Sequence, residues 1–101
     1  MNKFTKQYIK IHLETCTALY NAYIVLNESD SLKNAIESRL EQVLIELINE
    51  VAEYDTESES KWNEYRTHIK FYGIYSYDEN GKEIIIVDKI IENITNILGD
   101  D

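Results

Sequence analysis

Apolar side chains return every third or fourth residue between positions 31 and 54. Leu32, Ile36, Leu40, Val43, Leu47 and Val51 form one stripe, widened by Ala35, Leu44, Ile48 and Ala52. A period near 3.6 is that of an α-helix with one buried face. The other side carries Lys33, Asn34, Glu37, Glu41, Gln42, Glu46, Asn49, Glu50 and Glu53. Ser29, Asp30 or Ser31 can cap the start by accepting a hydrogen bond from an orphan backbone amide, although no capping box follows. Ile45 stands among polar neighbours, so it either touches another segment or is an exposed apolar residue. The other segments read as cover for this central helix.

Residues 3–26 predict a first long helix with two adjacent apolar stripes. One holds Phe4, Tyr8, Ile11, Ala18, Leu19, Ala22 and Leu26; the other holds Ile9, Leu13, Cys16, Tyr20, Tyr23 and Ile24. The polar strip left over is narrow: Lys3, Gln7, Lys10, Glu14, Thr17 and Asn21. So wide an apolar arc calls for cover on two sides, one from the central helix and the other from the C-terminal segment or a second copy of the chain. The short polar link at 27–30 makes the two long helices antiparallel neighbours.

After Tyr54 the pattern breaks. Thr56 with Glu59 fits a capping box, and a third, shorter helix is predicted to about His68, with Trp62, Tyr65 and Ile69 inward. Residues 69–87 predict a hairpin. Asp78-Glu79-Asn80-Gly81-Lys82 suits a type I turn with Gly81 left-handed, which sets Asp78 opposite Lys82, Tyr77 opposite Glu83 and Tyr75 opposite Ile85; a two-residue Asn80-Gly81 turn would shift the pairing. The first strand shows Phe71, Gly73, Tyr75 and Tyr77 on one face; the second, residues 84–87, is apolar on both. One hairpin does not easily hide two apolar faces, which hints at an oligomer or a binding surface. Asp88 suits the cap of a last helix with Ile90, Ile91, Ile94, Ile97 and Leu98 as its stripe, and Gly99 suits its stop. The expected fold is therefore α+β and predominantly helical, one domain over residues 1–101: two long antiparallel helices, a short third helix, one β-hairpin and a C-terminal helix.

Charge narrows the partners. Ten basic against nineteen acidic residues leave a net charge of −9. The imbalance is uneven: residues 1–27 net +2, residues 28–64 net −8 and residues 65–101 net −3. Binding to phosphate depends on neutralising it with lysine and arginine, so direct nucleic-acid binding is disfavoured and a basic protein partner fits better. A lone Cys16 rules out an internal disulfide. No signal peptide or membrane span is expected, since apolar runs near the start are broken by Lys10, His12 and Glu14; the expected location is the cytoplasm. Asn93-Ile94-Thr95 matches a glycosylation acceptor, a triplet common by chance.

Little in the chain points to catalysis. His12 and Cys16, four apart on a helix, could both reach one metal ion, but no second pair joins them and His68 is alone. Glutamates are plentiful without any pair being set apart, and no nucleophile elbow or phosphate loop occurs. The expectation is no enzyme, no metal and no cofactor. Two surface features remain. Glu46, Glu50, Glu53 and Glu57 run at spacings of four, three and four, roughly 6 Å apart if helical; they read either as a solvated outer face or as a strip for a cationic partner. Tyr72, Tyr75 and Tyr77 cluster in one segment of a chain with eight tyrosines. They read either as cover for the core beneath the hairpin or as an interface, where tyrosine is enriched for its broad apolar ring and polar tip.

In size, charge and lack of catalytic motifs the chain resembles small phage-encoded inhibitors of host defence, anti-CRISPR-like proteins among them, and bacterial immunity proteins that block toxic nucleases. That resemblance implies a non-catalytic inhibitor that docks on a basic, nucleic-acid-handling protein; it transfers no residue roles. A homodimer is also expected. One alternative is a winged-helix DNA binder, whose third helix would read the groove with Lys61, Asn63 and Arg66 and whose wing would carry Lys82. Another is a structural or assembly subunit whose surplus apolar faces are subunit contacts.

Overall fold

The computed structural model describes residues 3–99, and for Lys3 and Phe4 the backbone alone. The expected places of Lys3 in the polar strip and Phe4 in the first apolar stripe therefore lie outside the described side chains. Helices α1 (Lys3–Val25), α2 (Ser31–Ala52) and α3 (Glu59–Tyr72) are followed by strands β1 (Tyr75–Tyr77) and β2 (Glu83–Ile85) and by helix α4 (Val87–Leu98). The fold is α+β and predominantly helical, with two long helices, a shorter third, one hairpin and a closing helix.

Helix α2 is the centre. Leu40, Leu44, Leu47, Ile48 and Val51 are fully buried and Val43 nearly so. Asp30 caps its start, the carboxylate accepting from Leu32 N–H at 2.9 Å. Helix α1 lies antiparallel beside it: the hydroxyls of Thr5 and Tyr54 share a hydrogen bond at one end, and Tyr23 donates to Glu37 at 3.0 Å near the other. Lys33, placed on the polar side by its spacing, is instead drawn under the α1–α2 turn. Its ammonium donates to the Leu26 carbonyl at 3.2 Å and to Glu28 at 3.0 Å and sits 4.6 Å from the Tyr23 ring. The turn's unpaired carbonyl and the aromatic face replace the water that the lysine gives up.

Of the two stripes on α1, the second is the core. Ile9, Cys16 and Tyr23, one heptad apart, are buried. The first is only partly covered by this chain: Leu19 packs against the core, whereas Tyr8 and Ile11 are 48% and 60% exposed. The C-terminal segment reaches the second stripe, where Tyr20 donates to Asp88 of α4 at 3.0 Å. Burial pushes the Cys16 thiol up to about 12, which makes it an inert apolar side chain at neutral pH.

Helix α3 runs back along α2. Trp62 is fully buried and its indole N–H donates to Asp55 at 2.9 Å; Arg66 reaches Asn49 at 2.7 Å. Ile45 is half-buried against this helix and joins the core. The Thr56–Glu59 capping box does not form. Thr56–Ser58 is a short 3-10 turn, and neither Asp55 nor Ser58 makes a side-chain cap; the Glu59 N–H that the Thr56 side chain would accept from already donates to the Thr56 carbonyl.

Two boundaries differ from expectation for one reason. The third helix continues past His68 to Tyr72, so Phe71 and Tyr72 are helical rather than in a strand. The apolar run at 84–87 is split: Ile84 and Ile85 stay in the hairpin while Ile86 and Val87 turn inward to begin α4. Burying Ile69, Ile74, Ile86 and Val87 outweighs the β preference of the aromatic and branched residues around them. The hairpin's second apolar face therefore largely disappears into the core. Asp88 is not the cap of α4; it lies in the first turn, where a carboxylate still faces the helix dipole favourably. The turn is as predicted. Tyr75 pairs with Ile85 and Tyr77 with Glu83, Asp78 N–H donates to Lys82 O at 2.9 Å, and Gly81 has φ 78°. Gly99 ends α4 at φ 76°. No helix of the described residues is long and apolar enough to cross a membrane.

Candidate functional site

Where α3 meets the hairpin, the chain leaves a groove of about 610 Å³ lined by Glu64, Tyr65, His68, Tyr77, Asp78 and Glu79, with Ser76, Asn80, Ile84, Ile86 and Lys89 completing it. Its shape follows from local structure. Gly73 turns the chain out of α3 and Ile86 N–H donates back to Ile74 O at 2.9 Å, so β1 folds alongside the helix it has just left. His68 fastens the two, its Nε2 lying 2.6 Å from the Tyr75 carbonyl. A carbonyl accepts only, so this nitrogen carries the proton.

The three candidate tyrosines are brought together here. Tyr72, Tyr75 and Tyr77 line one small cleft of about 200 Å³ with His68 and Ser76. Tyr72 and Tyr77 are 72% and 68% exposed, and the Tyr72 ring lies tilted against His68, 5.2 Å between centroids. Tyr75 is half-buried, its ring 6.4 Å from Tyr23. Its phenol is raised above the usual range, first by burial and then by the charge of Glu83, so it stays protonated at neutral pH. Phe71, 68% exposed, extends the aromatic surface beside Lys70.

The glutamate strip lies elsewhere. Glu46, Glu53 and Glu57 are exposed and Glu50 is half-buried. Since Asp55 meets Trp62 at the start of α3 and Glu41 meets Gly73 at its end, Glu53 and Glu57 stand at the far end of a 14-residue helix from Tyr72, roughly 20 Å away. The two candidate surfaces are separate.

The residues proposed for a DNA-reading helix are engaged otherwise. The Lys61 ammonium rests 4.9 Å from the Trp62 ring, and the Arg66 guanidinium donates to both Asn49 and Asn63. Lys82 is exposed on the hairpin turn. Asn93 of the glycosylation triplet is helical and half-buried, its amide donating to Tyr65 at 2.7 Å. His12 and Cys16 gain no further ligands: among the described residues no three His, Cys, Asp or Glu side chains converge on a possible metal position.

Sequence reasoning missed Glu64, His68, Asp78 and Glu79 as neighbours of the tyrosines. The signal was there in part. Trp62, Tyr65 and Ile69 keep three-four spacing, which marks the inner face of α3 and leaves Glu64, His68 and Tyr72, at spacings of four, along its other side.

Behind the corner, Glu41 is half-buried next to Gly73. Its carboxyl is raised above the usual range, first by desolvation and then by Glu37. A carboxyl that binds its proton more tightly when folded makes stability fall as pH rises from the unfolded value near 4.3 through the raised folded value. Glu41→Gln removes that penalty. Its melting temperature is expected to exceed that of the parent at pH 7, with the difference gone below about pH 4; paired thermal melts at the two pH values check it.

Compared with protein-family models, curated proteins and solved structures, the chain matches none.

Proposed function

We propose that this chain is a non-catalytic acidic binding protein that docks on, and inhibits, a basic protein that handles nucleic acid. The groove between α3 and the hairpin carries the reading. It sets the exposed Tyr77 ring beside Glu64, Asp78 and Glu79, with one lysine in its lining, Lys89, and the exposed Tyr72 adjoins it across Glu64 and His68. That arrangement suits arginine, whose flat guanidinium stacks on tyrosine and pairs with carboxylates. The net charge of −9 attracts a cationic partner over a longer range and repels bare phosphate. The α2 strip then contributes to the long-range field, and the groove makes the contacts. A cytoplasmic site of action belongs to the same reading.

The test is an NMR titration with an arginine-rich peptide at about 150 mM salt, where long-range attraction is largely screened. Amide shifts are expected at residues 64–68, 72–79 and 84. The pair Tyr72→Ala and Tyr77→Ala together should weaken binding at least about tenfold, near 1.4 kcal/mol. Neutralising the strip with Glu46→Gln, Glu50→Gln and Glu53→Gln should change it by less than about threefold. Shifts centred on α2, or saturable binding of duplex DNA with none of the peptide, would overturn the reading.

A further inference from the structure

The uncovered side of α1 has a regular pattern. Tyr8, Ile11, Thr15, Ala18, Ala22 and Val25 follow at three-four spacing over more than two heptads, the spacing of a seam that packs against another helix. Tyr8, Ile11 and Val25 are 48%, 60% and 77% exposed, Thr15 and Ala18 are exposed and Ala22 is half-buried. Thr15 brings no unmet donor to this surface, because its hydroxyl donates to the Ile11 carbonyl at 3.2 Å. The buried heptad of Ile9, Cys16 and Tyr23 faces α2, so the seam is additional to the core.

We infer that this face of α1 is the interface of a homodimer in which two α1 helices pack antiparallel about a two-fold axis between Thr15 and Ala18. The seam is self-complementary in that direction. Antiparallel packing sets a against d positions, which layers Tyr8 on Val25, Ile11 on Ala22 and Thr15 on Ala18, large residues against small ones with the smallest at the axis.

Charge selects the same occupant and the same direction. The start of α1 holds Lys3, Lys6 and Lys10, and the turn beyond its end holds Glu28 and Asp30, two carboxylates against the one lysine, Lys33, that Glu28 already meets. Antiparallel packing brings each basic end to the partner copy's acidic turn, whereas parallel packing sets like charge against like. With residues 1–27 at net +2 and the rest of the chain strongly negative, α1 is also where two copies meet with least repulsion. The groove of the proposed function lies on α3 and the hairpin, so the two readings stand or fall separately.

Sedimentation equilibrium between about 1 and 100 µM, the range for a small interface, is expected to show a reversible monomer–dimer transition. Ile11→Glu or Ala18→Glu should raise the dissociation constant at least about a hundredfold. Both sites are exposed in the single chain, so helical circular dichroism should be unchanged in dilute solution. Register is read by disulfide trapping: an oxidised mixture of the Thr15→Cys and Ala18→Cys chains should give mainly the mixed disulfide, with Cys16 buried and silent. A monomer at the highest concentration, a dimer indifferent to both glutamates, or Thr15→Cys pairing mainly with itself would each overturn the inference.

Discussion

Trp62→Ala is expected to remove most of the stability of the fold. The indole is fully buried in the core, 5.7 Å from the Tyr65 ring. Truncating a buried tryptophan to alanine costs about 3–5 kcal/mol in lost transfer energy and cavity. Asp55 also loses the N–H it accepts at 2.9 Å, which adds about 1 kcal/mol. A domain of this length has only about 5–15 kcal/mol in total, and each kcal/mol lowers the melting temperature by about 4–8 °C. A drop of at least about 15 °C follows. Trp62→Phe separates the two contributions: it keeps most of the volume, loses the hydrogen bond and should cost about 1–2 kcal/mol. Thermal melts of the two variants settle the matter. If the alanine variant melts within a few degrees of the parent, α3 is not held to α2 through this residue.

Trp62 also shows how much of the fold could be read from residue order. Its spacing to Tyr65 and Ile69 marks the inner face of a helix, and the same arithmetic finds α1, α2 and α4. The hairpin register was legible because Asp78 and Gly81 each do one thing: the Asp78 carboxylate accepts from Asn80 and Lys82 N–H at 2.9 Å, and Gly81 takes a positive φ. What the pattern leaves open is which of two apolar stripes a neighbour covers. On α1 both stripes satisfy the period, and only contact with α2 distinguishes Ile9 and Cys16 from Ile11 and Ala18. Runs of branched and aromatic residues are ambiguous in the same way, as at Phe71, Tyr72 and residues 84–87, where burial of the neighbours decides. Lys33 escapes any periodic reading because its partners, the Leu26 carbonyl and the Tyr23 ring, exist only once the turn has formed. The candidate site suffered likewise. Its tyrosines were visible as a cluster, but Glu64 and His68 are close to Tyr77 only because the chain reverses at Gly73.

That reversal makes Gly73→Ala the second large effect. Gly73 adopts φ 73° and ψ −149°, a region open in practice to glycine alone, where a side chain costs about 1–3 kcal/mol in backbone strain. An added Cβ would also lie 2.8 Å from Glu41 Oε1. The second contact is the end of a side chain and can swing aside; the first cannot relax without moving β1. Gly73→Ala should therefore cost about 2–3 kcal/mol, and adding Glu41→Ala should recover only a minor part. Gly81 is the control, with φ 78° and nothing within 4 Å of the place a methyl would take, so alanine there should cost only about 1 kcal/mol. The effect on binding should exceed the effect on stability. A chain still folded with alanine at 73 reaches an allowed conformation by shifting β1, which separates the Tyr75 carbonyl from His68 Nε2, now 2.6 Å apart, and parts Tyr72 from Tyr77. Gly73→Ala is expected to lose the amide shifts of the peptide titration at temperatures where it remains folded, while Gly81→Ala keeps them. Equal binding by the two variants would mean that the groove does not depend on this corner, and the α3–hairpin surface would lose its claim to be the docking site.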